Sequence, residues 1–147
     1  MLRRHGINPK ALELQERTRR FATAVIKFCD ALTRTMAAKR ISQQLIDSAR
    51  STDNNYRATC RSRSQDQFMA KIGVAAEEAD ESSGWLLLLV ESNIVSMERA
   101  RNSIQEAGEL TAIFVASRKT AQRRQAERER LKKLDRSTGR SQRRRGG

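Results

Sequence analysis

The chain has 147 residues, of which 37% are hydrophobic and 32% charged, which suits one modest helical domain with a tail. Its longest apolar run, Trp85–Val90, is far shorter than the roughly 20 residues of a membrane helix, so no membrane segment is predicted. Cys29 and Cys60 lack a CxxC spacing and the single histidine is His5, so no zinc site is predicted. Residues 1–20 contain no apolar run typical of a secretory signal. We therefore expect a cytoplasmic protein whose two thiols are small core residues, with one disulfide as the alternative.

The positive charge is concentrated at the C-terminal end. Residues 118–147 contain 13 lysines and arginines and three acidic residues, so they carry +10 of the formal net charge of +13. The rest of the chain is nearly balanced, which indicates a neutral body and a basic tail.

Two amphipathic helices are predicted in the first sixty residues. Asn8 followed by Pro9 predicts the start of the first, because Asn caps helices well and Pro is tolerated at the first helical position. Its buried seam steps by three and four residues through Leu14, Thr18, Phe21, Val25, Phe28 and Leu32. After a polar link around residues 33–39, the seam of the second helix has Ile41 and Leu45 and then becomes small and polar at Ser48, Thr52, Asn55 and Thr59. We expect these polar groups to bond to backbone carbonyls or to one another, and a polar pocket is the alternative.

Two further helices complete the predicted fold. Ser64 with Gln67 forms a capping box at the start of the third, whose seam is Phe68, Ile72, Ala75, Ala79, Ser82, Leu86 and Leu89. A turn near residues 93–96 leads to the fourth, with seam positions Met97, Ala100, Ile104, Ala107, Thr111 and Phe114. Short links between long helices predict an all-α, antiparallel up-down-up-down four-helix bundle over residues 8–121.

Residues 122–147 form the predicted basic tail. Its first half is compatible with an extension of the fourth helix, whereas Gly, Ser and Arg predominate from Ser137 on and predict disorder. Arginine-rich segments without aromatic residues bind phosphate by charge and counterion release, with little sequence specificity. The predicted nucleic-acid-binding residues are Arg123, Arg124, Arg128, Arg130, Lys132, Lys133, Arg136, Arg140, Arg143, Arg144 and Arg145. The alternative is a solvated or proteolytically trimmed tail.

An acidic cluster in the third helix resembles catalytic carboxylates only superficially. Its members, Glu77, Glu78, Asp80 and Glu81, lie on adjacent turns of one helix, whereas a glycosidase pair faces across a substrate. The sequence also has no Ser-His-Asp set, Cys-His pair or Gly-rich phosphate loop, so we predict neither an enzyme nor a cofactor site. We instead predict ion pairs between helices or between subunits, involving Arg57, Arg61, Glu77 and Glu81.

The apolar run that follows predicts self-association. Consecutive helical residues advance by about 100°, so one seam can bury only part of the run. Leu86 and Leu89 belong to the seam, and an oligomer interface is predicted at Trp85, Leu87 and Leu88. The alternative is a helix end that the bundle itself encloses.

Four segments of the chain, residues 17–29, 44–64, 68–89 and 109–121, resemble a known family in the same order. The specific motifs are Ser48 and Ser51 with Asn55-Tyr56, Phe68-x-x-Lys71-x-Gly73, the acidic cluster followed by Trp85-Leu86, and Ala112-Ile113-Phe114-Val115-Ala116-Ser117. They resemble the small four-helix-bundle proteins encoded by intervening sequences inside bacterial large-subunit ribosomal RNA genes. This resemblance implies a left-handed bundle that assembles as a homopentameric ring. A distant branch serves diversity-generating retroelements and binds RNA and a reverse transcriptase, whereas no established activity carries over from the intervening-sequence branch.

Two functions follow as hypotheses. The first is a non-enzymatic, oligomeric protein that binds RNA or single-stranded DNA through its basic tail. The second is a structural or adaptor oligomer that docks a protein partner, with a reverse transcriptase as the analogy from the distant branch. A cofactor-binding bundle ranks last.

Overall fold

A computed structural model describes residues 8–145, including the side chains of residues 8–139. Within this part of the chain there are four helices, α1 (Pro9–Asp30), α2 (Met36–Cys60), α3 (Gln65–Glu91) and α4 (Met97–Arg145), and no strand. α3 packs extensively against α2 and α4, whereas α1 packs mainly on α2 and more sparingly on α4. The predicted all-α, four-helix bundle is confirmed.

Local capping groups set where the helices begin. Asn8 Oδ1 accepts a hydrogen bond from Lys10 N at 3.0 Å, with Pro at the first helical position, as predicted. Ser64 Oγ accepts from Gln67 N at 3.1 Å, as the predicted capping box requires. Gln67 Oε1 accepts from Arg63 N at 3.1 Å, so the reciprocal bond goes to the residue before the cap and not to Ser64 N.

The second helix begins earlier than the sequence predicts. Thr35 caps it by accepting a hydrogen bond from Ala38 N at 3.2 Å, so residues 36–39 belong to α2 and not to the link. Met36, Ala37 and Ala38 are themselves good helix formers, so the link is shorter than predicted.

The core follows most of the predicted seam positions, but in α4 Met97 is 42% exposed, whereas Leu110, which the predicted seam omits, is fully buried. Leu45, Ile72, Leu86, Leu89, Leu110 and Phe114 are fully buried, and the Phe114 ring stacks on Tyr56 with centroids 5.2 Å apart. Stacking of these two rings joins α2 to α4 across the bundle.

The polar middle of the bundle is satisfied internally. Ser48 Oγ and Ser82 Oγ lie 2.8 Å apart, and Thr52 Oγ1 donates to the Ser48 carbonyl at 2.8 Å. Thr59 Oγ1 donates to the Asn55 carbonyl at 2.8 Å. Every buried side-chain nitrogen or oxygen of the described residues has a hydrogen-bond partner. The predicted pairing with carbonyls and with one another is therefore confirmed over the alternative of a polar pocket.

The two cysteines differ in their environments. Both are free thiols, with Cys29 buried and Cys60 exposed. Burial raises the pKa of the Cys29 thiol. The prediction of a core residue is thus correct for Cys29 and wrong for Cys60, because Cys60 is the last residue of α2 and faces solvent where the chain leaves the helix.

The fourth helix continues well beyond the bundle. Its 49 residues correspond to about 74 Å at 1.5 Å per residue. Gln125 Nε2 lies 3.4 Å from Asp66 Oδ1, at the start of α3, and residues 126–139 are all exposed. Ala121 is the last buried residue among those described, so the predicted boundary at residue 121 falls inside a continuous helix. We call residues 122–145 the basic extension.

Within the basic extension, α4 continues through Ser137 as far as Arg145. The Ser137 hydroxyl donates to the Leu134 carbonyl at 2.8 Å, and the Thr138 hydroxyl donates to the same carbonyl at 3.2 Å. Both hydroxyls therefore bond to carbonyls of the preceding helical turn.

Candidate oligomer and nucleic-acid interfaces

The basic extension presents its cations to solvent. All the predicted nucleic-acid-binding residues whose side chains are described are exposed, namely Arg123, Arg124, Arg128, Arg130, Lys132, Lys133 and Arg136. Four others have their backbone in α4, but their side chains lie outside the described residues: Arg140, Arg143, Arg144 and Arg145.

Cations and leucines occupy different sides of this helix. At 100° per residue, the basic side chains from Arg128 to Arg136 cover about 200° of its circumference. Leu131 and Leu134 lie together on the remaining side, with 55% and 51% of their surface exposed. The projecting helix therefore has one broad, mainly cationic face, which also contains Glu129, and a narrow strip on which Glu127 lies between the two leucines.

The predicted oligomer interface is partly open in the monomer. Leu87 and Leu88 are 37% and 40% exposed, whereas Leu86 and Leu89 are fully buried. Trp85 is half-buried, and its Nε1 donates to Glu81 Oε1 at 3.2 Å. The division of this apolar run into buried and outward-facing positions matches the prediction, and its role in assembly stays a prediction.

The predicted ion pairs are not formed within the chain. Arg57, Arg61, Glu77 and Glu81 are all described, and none makes an N–O contact within 4.0 Å with an opposite charge. The register explains this. Because Ser48 lies opposite Ser82 in antiparallel helices, Arg57 is level with residue 73, about 6 Å along the axis from Glu77. Pairing of these residues between subunits stays a prediction.

The acidic cluster instead interacts with nearby groups. Burial raises the pKa of the Glu78 carboxyl, and the neighbouring charge of Glu81 raises it further, while a hydrogen bond with Ser51 opposes the shift. Like charges on adjacent turns thus remain mutually destabilising in the monomer.

Sequence reasoning missed two charged links that attach α1 to the bundle. Arg17 bonds through Nε to Glu106 Oε1 at 2.6 Å and through Nη2 to Glu109. Asp53, only 5% exposed, accepts from Thr18 Oγ1 at 3.1 Å and from Arg19 Nε at 2.9 Å. These partners are 34 to 92 positions apart in the sequence, so no local spacing could have indicated them.

No helix in the described part of the chain combines the length and apolarity needed to cross a membrane. Among residues 8–145, no group of three or more His, Cys, Asp or Glu side chains is placed to hold a metal ion.

Comparisons with known proteins support the predicted family. A crystal structure of a protein of unknown function from the S23 ribosomal protein family of Bacteroides thetaiotaomicron superposes with a TM-score of 0.69 at 22% identity. The superposition covers 75% of this chain and 98% of that one, and it supports the fold alone. No curated protein matched the chain. The family model described as "23S rRNA-intervening sequence protein" matches residues 10–116, most of the bundle. The chain therefore belongs to the 23S rRNA-intervening sequence protein family.

Proposed function

We propose that this protein is a non-enzymatic, oligomeric bundle protein that binds RNA or other nucleic acid through phosphate contacts of its basic extension. The observation that carries the proposal is the exposed cationic face of a helix that leaves the bundle near Gln125. A cytoplasmic location is part of this proposal.

The arrangement suits a phosphate backbone. Arg128, Lys132 and Arg136 recur every four residues, about 6 Å apart along the axis, so their charges form one continuous row. Lys and Arg side chains that neutralise phosphates release condensed counterions, and this release drives binding without reading the bases.

Self-association would strengthen such binding. Leu87, Leu88 and Trp85 supply an outward apolar face on α3, and the family resemblance implies a ring. Several basic extensions on one ring raise the effective concentration of cations near a bound strand, so weak single contacts add up to avidity.

A second candidate function is a structural or adaptor oligomer, and one observation favours it. Leu131 and Leu134 are the two most exposed leucines of the described chain, and phosphate binding does not need them. A protein partner with an acidic, apolar groove would contact both the leucine strip and the flanking cations. A reverse transcriptase is the partner that analogy with the distant branch suggests.

Salt-dependent binding separates the two candidates. Affinity for a labelled single-stranded RNA is measured by fluorescence anisotropy between about 50 and 200 mM salt. In the test variant, Arg128, Arg130, Lys132 and Lys133 are changed to Gln. We expect the slope of log K against log salt to become shallower by about 3, since each single-strand phosphate contact contributes about 0.7.

The matched control removes four exposed cations from the bundle instead, at Lys27, Lys39, Arg40 and Arg99. Both variants lose four positive charges, and none of the control residues belongs to an ion pair in the described chain. We expect the control to keep most of the parent's slope. Equal effects of the two variants would assign binding to net charge alone, and absence of binding at low salt in the parent would eliminate the first function.

Native mass spectrometry of the parent and of Leu88→Glu tests assembly. We expect the parent to be an oligomer and the variant to dissociate, because a carboxylate would be buried in an apolar contact. A monomeric parent would overturn the oligomeric part of the proposal.

A further inference from the structure

A groove lies where the basic extension leaves the bundle, between the first turn of α3 and α4. Its volume is about 430 Å³, within the range of small-ligand sites. The lining side chains that bear on its chemistry are Gln65, Phe68, Ser117, Thr120 and Arg124.

The groove combines an aromatic wall with hydrogen-bonding groups. Phe68 is half-buried, so it packs on the core while part of the ring lines the groove. The amide of Gln65 donates to the Ala121 carbonyl at 3.4 Å, a long bond that a better acceptor can replace. Ser117 adds a hydroxyl that both donates and accepts. The Thr120 hydroxyl donates to the Ala116 carbonyl at 3.0 Å and is left to act as an acceptor.

The cations of the basic extension start at this groove. Arg124 lines it, and the exposed row from Arg128 to Arg136 runs away from it along the same helix. Residues 122–147 contain no aromatic side chain. Among the residues that line the groove, Phe68 is the one aromatic side chain on which a base can stack. A strand whose phosphates follow the row is thereby led to an aromatic ring flanked by an amide, two hydroxyls and a guanidinium.

We propose that this groove holds one unpaired nucleobase of a strand bound along the basic extension, stacked against Phe68 and with its polar edge facing Gln65 and Thr120. The proposal rests on the proposed nucleic-acid binding and adds a base contact to it. Stacking on aromatic side chains is tolerant of sequence because every base has a π-face. The groove would therefore favour single strands over polyanions that lack bases.

Phe68→Leu in the full-length protein tests the proposal. We expect affinity for single-stranded RNA to fall by at least about fivefold, the lower end of the range for losing one stacked base. The salt slope should stay at the parent's value, because no phosphate contact is removed. Binding of inorganic polyphosphate, which has the charge but no bases, should be unchanged.

Two controls keep the result interpretable. Phe28→Leu shortens another half-buried phenylalanine, on α1 and away from the groove, and should leave RNA binding unchanged. Phe68→Trp keeps an aromatic face and should retain binding. Thermal unfolding followed by circular dichroism checks that all variants keep the bundle.

The outcomes distinguish the base-binding groove from phosphate binding by the basic extension. Parental RNA affinity in Phe68→Leu overturns the base-binding groove while leaving phosphate binding intact. An equal loss for RNA and polyphosphate also overturns it, because the change would then act on charge or fold. A parent that binds neither ligand eliminates the proposed function itself.

Discussion

The buried carboxylate of Asp53 offers the sharpest test of what attaches α1 to the bundle. It accepts hydrogen bonds from Thr18 Oγ1 at 3.1 Å and Arg19 Nε at 2.9 Å, both on α1, and only 5% of it is exposed. Replacing Asp53 by Ala removes both bonds. The Thr18 hydroxyl keeps the Gln15 carbonyl as an acceptor at 2.9 Å, and water solvates the Arg19 guanidinium, itself 56% exposed.

The cost follows from the two bonds. A hydrogen bond to a charged group contributes about 1.5 to 3 kcal/mol, and the Arg19 bond counts near the lower end because solvent screens that side chain. Alanine returns about 0.5 kcal/mol through its higher helix propensity. We expect Asp53→Ala to lower the free energy of unfolding by about 2 to 3 kcal/mol. With a urea m-value of about 2 kcal/mol/M, the unfolding midpoint falls by about 1 to 1.5 M.

Asp47→Ala on the same helix is the matched control. Asp47 pairs with Arg50 at 3.3 Å, but the two side chains are 65% and 62% exposed, so this pair contributes at most a few tenths of a kcal/mol. The gain in helix propensity is the same for both variants and cancels in their difference. Urea unfolding followed by circular dichroism at fixed protein concentration gives both midpoints. Equal midpoints for the two variants would refute the reasoning that Asp53 fastens α1 to α2.

Three further predictions concern the bundle. Phe114→Ala should cost about 3 to 5 kcal/mol in urea unfolding because the ring is fully buried against Tyr56, whereas Phe114→Leu should cost clearly less; similar losses would contradict the packing argument. Gly108→Ala should stabilise the monomer by about 1 kcal/mol, since an added Cβ meets no atom within 4 Å, and a destabilised protein would show that this face is covered. Burial and the charge of Glu81 raise the pKa of Glu78 in the folded state, so the folded state favours the protonated carboxyl. This contribution to the free energy of unfolding is present at low pH and is lost as pH rises through the folded-state pKa. Glu78→Gln should therefore raise the urea midpoint at pH 7 and give a shrinking gain towards pH 4, and a gain independent of pH would contradict this.

The parts of the fold that the sequence predicts are those governed by local spacing. Asn8 and Ser64 act as caps because a cap needs only its own side chain and the next three residues. Most seam positions follow from the 3.6-residue period, and the same geometry separates Leu86 and Leu89 from Leu87 and Leu88. At the start of α4 the period alone misplaced Met97, which is 42% exposed.

The features that the sequence does not predict depend on register between helices. Antiparallel packing of α2 and α3 predicts that Arg57 and Glu77 lie on neighbouring helices, but it does not give their relative height along the axis. The Ser48–Ser82 contact defines that height and places them about 6 Å apart along the axis. The groove likewise joins Phe68 to Arg124, which are far apart in sequence and meet only because α3 begins level with Gln125.

The helical form of the basic extension links its stability to its proposed ligand. Arg128, Lys132 and Arg136 are spaced four residues apart, and like charges at this spacing destabilise a helix by a few tenths of a kcal/mol per pair. No packing offsets this cost, because residues 126–139 are exposed. Phosphates bound along the row would neutralise this repulsion. Binding of a polyanion and formation of the helix are therefore coupled, and each favours the other by the same free energy. The groove lies where the extension leaves the bundle, so an ordered extension aligns its row of cations with Arg124 and Phe68 there. A flexible tail of the same composition would bind phosphate but would not direct a strand to that groove.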